Sequence, residues 1–149
     1  MARRAVSACQ QRRPAMVVVV HDLAQARGAL GAAAALGCAV ELRSAPGAAA
    51  CAGVGYLKAL GEAAGHELLI DCGEDPGIAM AALRAGCRRL SFAGAADTAQ
   101  RLREMAEQAG AVLAHETAAP DALELAPEDD AAAMVRAQLQ REVGHGNKG

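Results

Sequence analysis

Apolar residues along this chain come in short unbroken runs rather than in long stripes. Met16–Val20 is one methionine and four valines, ended by His21-Asp22. An uninterrupted β-branched run of this length predicts a strand buried on both faces. Asp22 predicts a helix N-cap, and the alanine-rich stretch after it a helix through Ala35, closed by Gly37. The pattern then repeats. Cys38–Leu42 reads as a second strand, Arg43-Ser44-Ala45-Pro46-Gly47 as a turn, and Ala48–Ala64 as a helix stopped by Gly65. Glu67–Ile70 is the third strand, followed by Asp75 and Pro76 as cap and first turn of a helix to Ala85, closed by Gly86. Arg89–Phe92 is the fourth strand. Asp97 is the expected cap of the helix Thr98–Ala109, with Leu102, Met105 and Ala109 on one face and Gly110 at its end. Ala111–Ala114 makes a fifth strand. Thr117–Pro127 reads as a linker, and Glu128-Asp129-Asp130 as the acidic first turn of an amphipathic helix to about Val143. Gly144–Gly149 is expected to be a loose tail.

Four times an apolar strand gives way to a helix, a glycine ends the helix, and the next strand follows at once. Crossovers of this kind join parallel strands and lay helices over the sheet. The expected fold class is therefore α/β: about five parallel βα units forming a half-barrel or an open doubly wound sheet, plus a C-terminal helix. The 149 residues are expected to form a single domain. Residues 1–14 would be a basic N-terminal arm, 15–116 the βα core, 117–127 the linker and 128–143 the C-terminal helix. A complete barrel takes eight units and ~200–250 residues. Five units leave edge strands with unpaired backbone groups, which proteins generally cover or pair. That predicts a homo-oligomer, a dimer, with the C-terminal helix covering one edge.

Composition changes the picture in three ways. The net charge of −2 argues against nucleic acid and acidic membrane surfaces as partners. The arginines at 3, 4, 12 and 13 flank no apolar signal-like segment, and Ala15–Val20 is far shorter than the ~20 residues a membrane span needs. A cytoplasmic protein is expected. Cys9, Cys38, Cys51, Cys72 and Cys87 form no CxxC pair and no ligand spacing to a histidine, so they read as reduced apolar thiols. No metal site and no cofactor is expected. Tyr56 and Phe92 are the only aromatic residues, and Tyr56 is expected to anchor the core or the dimer contact.

In parallel α/β folds the chemistry lies at the carboxyl ends of the strands. Those ends carry His21, Asp22, Glu41, Arg43, Asp71, Cys72, His115 and Glu116. His21, Glu41, Asp71 and His115 are the catalytic candidates, because histidines and carboxylates on one rim suit acid–base work. Polar residues also follow buried strands for structural reasons alone. Arg43 is the candidate for binding a small anionic ligand. Gly47, Gly53 and Gly55 follow the second strand, where glycine lets backbone amides approach a phosphate. Glycines within a helix serve close packing more often, and these two readings stay open. Cys72 lies before a helix N-terminus, which lowers a thiol pKa; with no histidine placed beside it, a buried inert thiol is the expectation.

Two stretches resemble class I aldolase-type (β/α) barrels, and the 2-keto-3-deoxy-6-phosphogluconate aldolase family in particular. Val17–Ala45 is similar to that family's first two units, ending in Leu42-Arg43-Ser44. Asp75–Gly94, DPGIAMAALRAGCRRLSFAG, is similar to its helix-then-strand passage. The resemblance implies a front half-barrel and gives Arg43 the part of the arginine that meets a substrate carboxylate. The family's acid–base glutamate falls on Ala39, with Glu41 displaced by two. Its Schiff-base lysine belongs to a sixth strand for which no counterpart is expected here, and Lys58 falls in the second helix. Without a desolvated lysine and its proton shuttle the aldol chemistry is not expected. The functional expectation is a non-catalytic or small-ligand-binding aldolase-like half-barrel. The alternatives are an enzyme using the rim acids and bases, lyase-like or metal-assisted, and a protein-interaction module.

Overall fold

A computed structural model describes residues 16–116 and 121–145 of the chain. The expected basic arm, the first four residues of the expected linker and the last four residues lie outside the described residues. The fold is α/β, with a six-stranded parallel sheet in the order β5-β4-β3-β2-β1-β6. The strands are β1 (Met16–Val20), β2 (Val40–Ser44), β3 (Leu68–Asp71), β4 (Arg89–Phe92), β5 (Val112–His115) and β6 (Leu123–Glu124). The helices are α1 (Leu23–Ala35), α2 (Ala48–Ala52), α3 (Val54–Ala64), α4 (Pro76–Ala85), α5 (Ala96–Gln108) and α6 (Ala131–His145). No helix among the described residues is long and apolar enough to cross a membrane. The described chain divides into two compact units, residues 16–41 with 122–145, and residues 42–116 with 121.

In the first unit Asp22 caps α1 as expected, its Oδ1 accepting from the Gln25 amide at 2.8 Å. Gln25 itself is buried and satisfied at both ends of its amide. Oε1 accepts from the His21 backbone N–H at 2.9 Å, and Nε2 donates to the Ala126 carbonyl at 2.7 Å. Where a linker was expected, β6 pairs in parallel with β1, matching Val18 to Leu123 and Val19 to Glu124. The expected acidic first turn of the last helix is also displaced. The helix starts at Ala131, Asp130 accepts from the Ala133 amide, and Asp129 closes a turn onto the Ala126 amide. That helix, α6, lies across α1 rather than over a bare strand edge. Gly28 permits the approach: a Cβ there would stand 3.3 Å from Ala131 Cβ.

In the second unit the strand order follows the chain order, β2 to β5. Right-handed crossovers that always step the same way place their helices on one face. Accordingly α3 packs on β3, α4 on β4 and α5 on β5, each helix beside the next. Register then sorts the side chains. Leu42 aligns with Leu68, and Ile70 with Leu90 and Leu113, in the row that meets the helices. All five are buried. The alternate row holds Arg43 beside Leu69, and Asp71 beside Ser91 and Ala114. Helix positions in the core are mostly alanine: Ala79 and Ala82 in α4, Ala99 and Ala106 in α5.

Three local expectations are corrected. The single helix 48–64 is two, because Gly53 adopts φ 89° and ψ 149°, an extended left-sided conformation that no helix continues through. Helix α5 begins at Ala96 with Ala95 at the cap, leaving Asp97 within the first turn; its buried face is Ala99, Leu102 and Ala106, and Met105 is exposed. Tyr56 is 48% exposed and does not anchor the core.

Two glycines of α3 make opposite predictions. A Cβ on Gly61 would lie 3.0 Å from the His66 carbonyl oxygen and 3.2 Å from the Leu68 amide nitrogen, whereas Gly55 faces open space. Gly61→Ala should destabilise by about 1–3 kcal/mol as an overpacked contact against backbone. Gly55→Ala should stabilise by about 0.5–1 kcal/mol through helix propensity. Urea unfolding midpoints of the two variants check both signs.

Candidate functional site

Strand β2 runs two residues further than its apolar pattern suggests, so that Arg43 and Ser44 belong to the strand and not to the turn. The reason is visible in their partners. The Arg43 side chain is 4% exposed and stands on the face of the sheet away from the helices. Its Nη2 donates to Ser91 Oγ at 2.9 Å and lies 3.5 Å from Asp71 Oδ2. Its Nη1 donates to Glu116 Oε1 at 3.0 Å. Ser44 Oγ, on the helix-facing row, accepts from the Asp71 amide at 2.9 Å. Asp71 Oδ1 in turn accepts from the Gly73 amide, which fixes the turn that leads into α4. Four neighbouring strands thus send a residue to one point at or just beyond their carboxyl ends.

The electrostatics of this cluster are asymmetric. Arg43 and Asp71 are both buried, so each is desolvated and depends on the other. Glu116 has a side chain 47% exposed and remains hydrated on one side. An exposed carboxylate of that kind adds little to stability. Buried side-chain nitrogens and oxygens all have hydrogen-bond partners among the described residues.

The other sequence candidates separate. His115 aligns with Phe92 on the opposite row, its ring stacked at a centroid distance of 6.3 Å and its Nε2–H donating to the Gly94 carbonyl at 2.7 Å. Alternation along β5 therefore places it on the other side of the sheet from Arg43. His21 is exposed at the end of β1, in the first unit. Glu41, partly exposed, precedes Arg43 by two in β2 and shares its row. Gly47 has φ 79° before the one-turn α2, Gly53 marks the break between α2 and α3, and Gly55 lies within α3. Gly47 and Gly53 thus serve a turn and a break, and Gly55 faces open space within its helix. No group of three histidines, cysteines or carboxylates among the described residues is arranged to hold a metal ion.

Cys72 is buried, with its Sγ donating to the Ile70 carbonyl at 3.6 Å. Burial first, then the negative charge of Asp71, pushes its pKa up to about 12. Burial also raises that of Cys87, opposed by Lys58. Neither thiol is an activated nucleophile. Glu116, on the expected rim but not among the catalytic or ligand candidates, and Ser91, which the sequence pattern does not single out, complete the cluster. A serine inside the apolar run Arg89–Phe92 was the available signal for Ser91.

No family model matches the chain, and no curated protein or solved structure is similar to it. What fold and cluster together define is a class: a parallel α/β protein with a buried arginine, paired to two carboxylates, at the carboxyl edge of its sheet.

Two measurements test this description. Arg43→Met should destabilise by about 3–5 kcal/mol, because it strands the Asp71 charge. The double variant with Asp71→Asn should recover part of that loss in a denaturant titration. Cys72 gives the pH dependence. Its pKa rises from 9.0 to about 12 on folding, so the folded state holds the proton more tightly. Its contribution is therefore complete below pH 9 and falls as pH climbs towards 12. Unfolding midpoints between pH 8 and 11 should decline less steeply in Cys72→Ala than in the unsubstituted protein.

Proposed function

We propose that this protein is a non-catalytic, small-ligand-binding relative of the aldolase-type half-barrels, and that its ligand presents a carboxylate to Arg43. The observation that supports the reading is the unequal hold on the guanidinium. Asp71 and Ser91 keep Nη2 from within the sheet, whereas Nη1 is met by the half-exposed Glu116 just past the end of β5. A ligand carboxylate can take the place of Glu116 without disturbing the buried pair. Among the described residues, catalysis by a Schiff base has no support in the placement of lysine. Lys58 lies in α3, ion-paired to Glu62 at 3.2 Å, and lines a cavity at the opposite, amino end of β3 and β4.

Pyruvate and acetate binding should be measured by calorimetry on the unsubstituted protein and on Glu116→Gln. Removing the internal competitor should tighten binding by up to about fivefold, the equivalent of an exposed ion pair of about 1 kcal/mol. Borohydride added with pyruvate should leave the intact mass unchanged. Equal affinities in the two proteins, or a trapped pyruvyl adduct, would count against the proposal.

A further inference from the structure

A concavity lies at the other end of the same unit. It encloses about 430 Å³, within the size range of small-molecule sites. Its floor is Leu68 and Ile70 of β3, and its sides are the ends of α3 and α4. Both helices stop there at left-handed glycines, Gly65 with φ 71° and Gly86 with φ 86°. Two carbonyls in the last turn of each are already used. Gly65 and His66 amides bond to Glu62 and Gly61, and Gly86 and Cys87 amides to Leu83 and Ala82. The end of α4 is also crossed by Lys58, whose Cε passes 3.7 Å from the place of a Gly86 Cβ.

The charges around the mouth are not equivalent. Lys58 and Glu62 satisfy each other at 3.2 Å. Arg88 and His66 have side chains with no hydrogen bond or ion pair to any described residue. Glu67 is also unpaired, but it is exposed to solvent. Register continues the helix-facing row from Leu90 back to Arg88, opposite Leu68, so the guanidinium belongs to the cavity side of β4. An apolar floor with a spare guanidinium and imidazole at its edge is complementary to one kind of molecule.

We infer that this amino-end cavity binds a small amphipathic anion, its apolar body on Leu68 and Ile70 and its carboxylate or phosphate on Arg88 and His66. This site shares no residue with the Arg43 cluster and does not depend on the proposal made for it. Arg88 offers two parallel N–H donors to either oxyanion, and a His66 ring N–H adds a third. Cys87, deep in the wall, is a neutral thiol and belongs to the apolar surface.

Hexanoate, hexyl phosphate, hexanol and inorganic phosphate are the probes, titrated by calorimetry against the full chain. Hexanoate or hexyl phosphate should fill one site per chain that depends on Arg88 and His66, and the tighter of the two identifies the head group. Arg88→Ala/His66→Ala should weaken that binding at least tenfold while shifting the melting temperature little, since Arg88 is exposed and His66 half-buried. Absence of saturation with both anions, unchanged affinity in the double variant, or hexanol binding as tightly as hexanoate would overturn the inference. Hexanoate binding that tightens in Glu116→Gln and persists in the Arg88/His66 double variant would overturn it as well, by moving the event to the carboxyl edge.

Discussion

A guanidinium placed inside a sheet has to be met by opposite charge where it lies, because water is no longer there to meet it. Arg43 imposes that requirement on its unit of the fold. Asp71 answers it from β3, Ser91 from β4 and Glu116 from the end of β5. These residues reach one point only if the strands hold a single register, and the observed pairing aligns Asp71 with Ser91. A slip of one residue would turn each polar side chain onto the helix side and each leucine away from it. The cluster therefore selects the register against its alternatives, a role attested for buried polar groups in some proteins. Its reach extends to the loops. The Asp71 carboxylate that neutralises Arg43 also holds the Gly73 amide, and so sets the entry to α4.

Around this polar spine the packing is made from unusually small parts. The strands supply valine, leucine, isoleucine and Phe92, while many of the buried helix positions are alanine. Each alanine buries little area, so cohesion depends on short distances rather than large side chains. Gly61 lets α3 sit against the amide and carbonyl of the chain entering β3. Gly94 does the same for the Phe92 ring, which occupies the space a side chain at 94 would need. A core of this kind tolerates little enlargement at its contact glycines, even though other glycines face open space.

The fold was legible wherever local signals agreed. Asp75, Pro76 and Gly86 bracket α4 at the residues expected, and the valine run of β1 has the bounds its pattern predicts. Legibility failed where a distant partner overrode the local signal. Arg43 and Ser44 look like turn residues until Asp71, Ser91 and Glu116 are in place, and those lie 27 to 73 positions away in the chain. Strand β6 is two residues long and exists through its pairing with β1, which no local pattern announces. The site was half legible. Arg43 and Asp71 were named and do meet, but strand parity sends His115 to the other face, and parity depends on bounds that sequence places only within a residue or two.

The two ends of this unit offer a ligand different kinds of equilibrium. At the carboxyl edge the arginine is already neutralised, so any anion must exchange with Glu116, and affinity is the difference between two carboxylates on one guanidinium. Such a site discriminates by the shape of what replaces Glu116 and gains little from charge alone. At the amino end nothing has to leave: Arg88 and His66 are unengaged, and the apolar floor contributes in addition. Charge there costs only the partial desolvation of groups already near solvent. Exchange favours a ligand rigid enough to match an internal carboxylate, whereas addition favours one with an apolar body. If both proposals hold, the chain binds two anions at sites that share no residue.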